Sequence, residues 1–372
     1  MLTTIPTPRV VVDLPRLQAN IAAMQALASK AGVRLRPHSK THKSPVIARW
    51  QIQAGAVGIC CAKLGEAEVM AEAGIGDIRL PYPINPSNAD RVLALQDRTR
   101  VSIIVDDFEV ARQWSVEMRA AGRKLAALVK VDVGFHRCGV NPEASDVLDT
   151  IRRIAELPGI EFRGLLSHAG HGYHAGSTEE LLTIAKAEAE ILNRLAADIR
   201  NAGQPVEEVS VGATPTARFI EAQKGVTEMR PGNYVFFDRT QAGLGSARLD
   251  ECALHVVATV VSRPAPNRVV VDAGSKVLTS DGVRGFGQAT GHGLVYPSLD
   301  PAEPDRSIAI ERLSEEHGVM RVERSCPLRI GDRVRILPNH SCVVTNLADE
   351  LLLVEGDRIV DRLPVAARGK SQ

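Results

Sequence analysis

The chain has 372 residues, 44% of them apolar, which is enough to bury the core of one large domain and a smaller one. A formal net charge of +1 and an aromatic content of 3% argue against a nucleic-acid or membrane-surface protein, and no apolar run nears the ~20 residues of a membrane span. Six scattered cysteines without a CxxC pair, and an N-terminus lacking a secretory pattern, make a reducing cytoplasm the expected compartment.

In chain order, a strand-like run at 10–14 passes into a stretch with helical apolar spacing at 14–31 (Leu17, Ile21, Met24, Leu27). A short apolar stretch at 33–35 then opens onto Arg36-Pro37-His38-Ser39-Lys40-Thr41-His42-Lys43-Ser44-Pro45, followed by a helix-like run at 46–53. This segment sets two lysines and two histidines at a strand end, where barrel enzymes carry their catalytic groups. A lysine there can form a Schiff base with an aldehyde cofactor if burial or neighbouring cations lower its pKa, and Arg36, His38 and Lys43 are such neighbours. The plain alternative is a basic loop that stays solvated.

Further strand-like runs fall at 56–61, 77–80, 101–105, 125–133, 160–168 and 206–211. Helical runs fall at 64–73, 86–95, 108–121, 142–157 and 178–202, the last opened by Ser177 with Glu180 three residues on. This alternation means an α/β chain with a parallel sheet, and about eight such units predict a (β/α)8 barrel over 14–240. No GxGxxG turn follows the first strand, which weighs against a dinucleotide-binding sheet. Beyond 240 the helical period fades, and β-like runs appear at 253–262, 268–271, 319–322, 333–337, 342–347, 351–354 and 359–364. They predict a β domain over 241–372, with residues 1–13 packing against it.

Chemistry-bearing residues gather at the predicted strand ends. Arg137 follows the 125–133 strand and can hold a phenolate or carboxylate. His168 ends the next strand and begins a cluster with His171, Tyr173 and His174 that can stack on a ring or shuttle protons. Gly212 and Thr214 offer backbone N–H groups and a hydroxyl to a phosphate at the barrel top, although such clusters are often mere turns. Gly232 and Asn233 can complete that cradle, and Tyr234 can cap it. In Pro338-Asn339-His340-Ser341-Cys342, imidazole and thiolate suit zinc. On a strand, His340 and Cys342 would share a face, leaving positions open for water or substrate.

Together these motifs resemble the fold-type III pyridoxal-phosphate enzymes over nearly the whole chain. Broadly the pattern is similar to alanine racemase. More closely it resembles the D-serine dehydratase and D-threonine aldolase branch, whose Arg-Pro-His-x-Lys-Thr-His-Lys stretch stands at 36–43. Glu316-His317-Gly318, His340-x-Cys342 and the tail from Pro364 to Gly369 agree. The resemblance implies that Lys40 is the Schiff-base lysine and that His168 stacks on the cofactor ring. It implies phosphate binding by Gly212, Thr214, Gly232, Asn233 and Tyr234, and a homodimer with the site near the subunit interface. Cys342, where aldolases usually carry Asp, and Tyr173 resemble the dehydratases. His174 falls where aldolases place a proposed base, and Arg230 resembles alanine racemase; facing the pyridine nitrogen, it would keep that nitrogen unprotonated.

The expected function is a metal-assisted pyridoxal-phosphate lyase on a D-β-hydroxy-α-amino acid, with zinc ahead of manganese or magnesium. Elimination gives a 2-oxo acid and ammonia; the first rival is retro-aldol cleavage to glycine and an aldehyde. Racemisation and a non-catalytic cofactor carrier rank lower. The partner is a small amino-acid substrate, with neither nucleic acid nor membrane.

Overall fold

The structure is a computed structural model describing residues 1–287, 290–300 and 303–372. The N-terminal strand β1 (Arg9–Asp13) is followed by eight short parallel strands: β2 (Arg34–Leu35), β3 (Ile59–Cys60), β4 (Asp77–Pro83), β5 (Arg100–Val105), β6 (Leu125–Lys130), β7 (Ile160–Leu166), β8 (Glu208–Val211) and β9 (Glu228–Met229). Their order is β2-β9-β8-β7-β6-β5-β4-β3. The ends meet through a parallel bridge between His38 and Cys60, so the sheet closes into a barrel. At this seam the amides of Val57 and Cys60 donate to the carbonyls of Leu35 and Pro37 at 2.9 and 2.7 Å. Gly58 permits the approach, since a Cβ there would lie 2.5 Å from Arg36 Nη1.

Helices α1 (Leu14–Lys30), α2 (Pro45–Gln53), α3 (Leu64–Glu72), α4 (Ala89–Gln96), α5 (Phe108–Ala120), α6 (Val147–Ala155) and α7 (Thr178–Asn201) accompany the barrel. Met70, Trp114, Ile151 and Leu192 on these helices share one core with Leu80, Ile103, Val129, Leu165 and Val209 on the strands. Helix α7 begins where the Ser177 hydroxyl accepts from the Glu180 amide at 3.2 Å, as the capping pattern predicts. Helix α6 starts later than the expected 142, because the Asn141 side chain accepts from the Glu143 amide at 3.0 Å and holds a turn there.

The barrel interior near the strand N-termini is filled by ions rather than apolar layers. Arg79 donates to Ser102 at 3.0 Å, to Glu208 at 2.9 Å and to Glu228. Glu228 also accepts from Arg36 at 2.9 Å and from the Ser210 hydroxyl at 2.6 Å. Burial alone would raise the Glu228 carboxyl, but Arg79, Arg36 and the Ser210 hydroxyl outweigh it and bring it down to about 2.

The second sheet contains β10 (Leu254–Ala265), β11 (Arg268–Val271), β12 (Leu294–Tyr296), β13 (Ala309–Leu313), β14 (Gly318–Arg321), β15 (Arg333–Leu337), β16 (Glu350–Glu355) and β17 (Arg358–Pro364). Strand β1 is one of its central members, antiparallel to β10 and parallel to β16. Val12, Leu17, Ile47 and Phe236 pack into one apolar cluster with Leu254, Val256, Ile336 and Leu353, which ties the barrel to this sheet. The run 342–347, expected as a strand, is instead a helix, Ser341–Leu347. Its Val-Val-Thr sequence favours extended backbone, but seven residues are too few for periodicity to decide, and packing against the 39–41 turn wins. No helix among the described residues is long and apolar enough to cross a membrane.

A carboxyl held below its unfolded value of about 4.3 stabilises the fold above that pH, and this contribution fades as the pH falls towards 2. Glu228→Gln leaves two buried guanidinium groups short of a counter-charge and is expected to cost about 3–5 kcal/mol near neutrality. Urea unfolding from pH 7 down to 2.5 checks this: the wild-type and variant curves should converge on acidification. Parallel curves would remove Glu228 from the acid response.

Candidate active site

A cavity of about 290 Å³ opens at the C-terminal ends of the barrel strands, where His340 and Cys342 of the second unit complete its wall. Beyond β2 the chain runs sheet-like to His38 and then turns through a short 3-10 helix, Ser39–Thr41. The flanking side chains anchor the turn. Ser39 Oγ lies 2.8 Å from Glu66 Oε1 and 2.9 Å from the Cys60 carbonyl. Thr41 Oγ1 lies 3.3 Å from Cys342 Sγ. Lys40, between them, faces the cavity.

Lys43 and His42, in the same basic segment, are structural. Lys43 Nζ donates to Asn346 Oδ1 at 2.7 Å, and the buried His42 ring lies 3.2 Å from Gln51 Oε1. They fasten the loop to the Ser341–Leu347 helix and to α2.

His168 follows β7 by two residues. Its Nδ1 donates to the Gly212 carbonyl at 3.0 Å, which fixes the tautomer and ring plane. Phe135 meets this ring edge-on at 5.8 Å, and Arg137 lies 5.0 Å over Phe135, on the cavity wall. Gly212 and Gly232 hollow out part of the wall: a Cβ on the first would lie 2.8 Å from Arg230 Nη2, and on the second 3.0 Å from His38 Cβ. The Gly232 amide donates to Thr214 Oγ1 at 3.3 Å and joins the two segments. Asn233 donates to Asp238 at 2.6 Å and Ser341 at 3.0 Å, while its buried Oδ1 has no partner. Arg230, buried, donates to Ser210 Oγ at 2.5 Å and to the Ser167 carbonyl.

His340 and Cys342 meet at the start of the Ser341–Leu347 helix, so they converge through a helix N-terminus and not through strand alternation. His340 Nδ1 lies 2.6 Å from Asp281 Oδ2. Burial disfavours the charged ring, but the Cys342 thiolate, Asp238 and Asp281 hold it up to about 10. Burial disfavours the Cys342 thiolate too, yet His340, Thr41 and Lys40 pull its pKa down. Among the described residues no three His, Cys, Asp or Glu groups converge to hold an ion, so this pair would form an open site.

Among the described residues five cations line the cavity (Lys40, Lys130, Arg137, Arg230 and Arg284), and no carboxylate does. Such a wall suits a ligand with several negative charges. Burial and these cations push the His38 and His168 rings well below the usual histidine range, so both are neutral. Burial, with Arg230, lowers Lys130 to about 7.

Two expected residues do not belong to this wall. Tyr234 is fully buried and its hydroxyl accepts from Gln51 Nε2 at 2.9 Å, so that hydroxyl is turned away from the cavity. His174 is exposed and lies off the cavity lining, because the Gly170–His174 turn carries it outwards. Tyr173 does line the cavity, with its hydroxyl 3.4 Å from Gln241 Nε2. The structure adds His38, Thr41, Lys130 and Arg284. A lysine closing the apolar β6 run was a usable signal for Lys130; nothing local marked Arg284. A larger cavity, about 780 Å³, opens at the other end of the barrel, but Arg34, Arg36, Asp77, Arg79, Arg163 and Glu208 on its wall are engaged with one another as ion pairs.

Residues 12–240 match the family described as "Alanine racemase, N-terminal domain", and residues 253–354 match the "Putative serine dehydratase domain". The chain belongs to this alanine racemase-like, serine dehydratase-type family. The family member is 35% identical to a D-threonine aldolase from Arthrobacter over 100% of this chain and 95% of that one. It is also 35% identical to a D-threo-3-hydroxyaspartate dehydratase from Delftia, over 92% of each. A solved structure of the Delftia dehydratase superposes with a TM-score of 0.92 at 34% identity, covering 98% of both chains. Structures of its His→Ala and Cys→Ala mutants, at positions two apart, match equally well, and the second is described as metal-free. These relatives are dehydratases and aldolases, and the chain is an enzyme of this lyase type.

Lys40, not Lys43, is expected to carry a pyridoxal cofactor. Borohydride reduction and peptide mapping should find the pyridoxyl group on Lys40, and Lys43→Ala should keep the cofactor while lowering stability by about 1 kcal/mol for the lost hydrogen bond. A pyridoxyl group on Lys43 would overturn the assignment.

Proposed function

We propose that this enzyme is a pyridoxal-phosphate- and divalent-metal-dependent lyase that eliminates water from a D-configured β-hydroxy-α-amino acid, giving a 2-oxo acid and ammonia. The observation carrying this is the His340–Cys342 pair on the wall of the cavity that Lys40 faces.

The cavity suits the cofactor. Gly212 and Gly232 leave a hollow that a Cβ would fill, and the unpartnered Asn233 Oδ1 is a buried acceptor beside it. Lys40 would hold the aldehyde carbon, Thr214, Gly232 and Asn233 the phosphate, His168 the ring face and Arg137 the phenolate. Arg230 stands at the cavity floor, where a guanidinium near the ring nitrogen would keep it unprotonated. Imidazole and thiolate suit zinc, and the Asp281 contact orients the His340 ring for a ligand. The Delftia mutants, with His and Cys two positions apart, support the same pair.

Bound pyridoxal phosphate supplies the electron sink that makes the Cα proton acidic. The Lys40 amine takes that proton. Hydroxide is a poor leaving group; His340 and Cys342 would hold a divalent ion, which would supply the Lewis acidity its departure needs. Burial keeps the Tyr173 phenol protonated, and it can deliver a proton to the departing oxygen. Neutral His38 and His168 add no charge beside the Lys40 amine. The enamine product hydrolyses to the 2-oxo acid and ammonia.

The rival retro-aldol cleavage needs a base for the β-hydroxyl, and exposed His174 is off the wall where that base would act. The proposal extends to a homodimer in a reducing compartment; the six cysteines are all free.

With zinc present, D-β-hydroxy amino acids should yield 2-oxo acid and ammonia, not glycine and aldehyde. Chelation should abolish turnover, move the melting temperature by less than about 2 °C, and be reversed by zinc. Cys342→Ala should behave like the chelated enzyme. Glycine as the main product would favour the aldolase, and full activity in Cys342→Ala would remove the metal from the reaction.

A further inference from the structure

The loop from Asp281 to Phe286 borders the cavity and its adjoining cleft and is pinned at three points. Asp281 Oδ2 accepts from His340 Nδ1 at 2.6 Å, the Arg284 amide donates to Thr240 Oγ1 at 3.3 Å, and the Phe286 amide donates to the Gly243 carbonyl at 2.9 Å. The loop thereby presents the Arg284 side chain to the cavity. Among the described residues the Arg284 guanidinium makes no hydrogen bond or ion pair. Arg230, in contrast, is held by Ser167 and Ser210.

Arg284 also lines a small adjoining cleft of about 30 Å³, which shares Tyr173, Asn233, Arg284 and His340 with the main cavity. This is room for about two water-sized groups. The two carboxylates of the cleft are engaged: Asp281 by His340, and Asp238 by Asn233, Ser341 and the Gln241 amide. A substrate whose β-oxygen sits at the His340–Cys342 pair directs the remaining substituent on Cβ along this side. A hydrogen or methyl there leaves Arg284 unused. A carboxylate fits the room and pairs with a planar guanidinium through two parallel hydrogen bonds.

We propose that Arg284 is a specificity-determining residue that binds the distal carboxylate of a β-hydroxy amino dicarboxylate, a substrate of the 3-hydroxy-D-aspartate type. This rests on the lyase function proposed above and narrows its substrate class. The groups facing the Cβ substituent are then Arg284, Tyr173 and the metal pair.

The test uses enzyme loaded with pyridoxal phosphate and zinc, as wild type, Arg284→Gln and Arg284→Lys. Turnover is measured on 3-hydroxy-D-aspartate, D-serine and D-threonine. Binding of D-aspartate and D-alanine, which carry no β-leaving group, is followed separately through cofactor absorbance. The wild type should favour 3-hydroxy-D-aspartate. Arg284→Gln should lower kcat/KM for it at least about tenfold, chiefly through KM, and weaken D-aspartate by a similar factor, because a site built to pair with a charged group loses that pairing. D-serine and D-alanine should change less than about threefold, and Arg284→Lys should restore part of the loss. An equal loss on all compounds, with cofactor absorbance intact, would assign Arg284 to the α-carboxylate and overturn the proposal. No change on any compound would overturn it as well. If no hydroxy amino acid is consumed, the lyase function fails, and the ratio of D-aspartate to D-alanine binding still decides the role of Arg284.

Discussion

The site depends on how the barrel closes. Strands β2 and β3 are two residues long, and the sheet is completed by a single bridge between His38, just beyond β2, and Cys60, the last residue of β3. Everything chemical on this side hangs from that bridge. His38 is its last sheet-like residue, and Lys40 lies two residues on, in a turn that Ser39 and Thr41 fasten to Glu66, Cys60 and Cys342. A side chain held this way needs no long strand beneath it, because both flanking hydroxyls are tied down. The ion network under the seam explains how so short a pairing persists. Arg36, the first residue after β2, is paired with Asp77 and Glu228, so pulling the seam apart would separate buried charges.

A second constraint is charge. The cavity wall gathers five cationic side chains and, among the described residues, no carboxylate. Lys130 is pushed towards neutrality, His38 and His168 are neutral, and Arg230 is held by neutral oxygen acceptors. The carboxylates lie one layer out: Glu66 beneath the Lys40 turn, Asp281 behind His340 and Asp238 behind Asn233. They hold the Lys40 turn, His340 and Asn233 in place without putting negative charge on the main cavity wall. The two structural units meet at this point, since the barrel supplies Lys40, Lys130, Arg137 and Arg230 and the second unit supplies Arg284, His340 and Cys342.

Much of this was legible in the sequence, for a physical reason. Residues at strand ends of a parallel barrel are bound to converge, so Lys40, Arg137, His168, Gly212 and Gly232 could be grouped before any coordinates. Where reading failed, the deciding force was tertiary. The run after His340 looks extended by its β-branched residues, yet it is a helix because it packs on the 39–41 turn. His174 and Tyr234 sit beside true wall residues in sequence, but a 3-10 turn has no fixed inside, and the first points to solvent while the second points to Gln51. Arg284 lies in a glycine-rich loop whose path is set by Thr240, Gly243 and His340, none of them near it in the chain.

The central claim is that one cavity brings the Lys40 amine and the His340–Cys342 pair to the same ligand. Anomalous diffraction at the zinc edge, on crystals grown with pyridoxal phosphate and zinc, tests it most directly. The account predicts one strong anomalous peak bonded to His340 and Cys342, and cofactor density continuous with Lys40 in the same cavity. A zinc peak on other residues, or cofactor density joined to a different lysine, would contradict it.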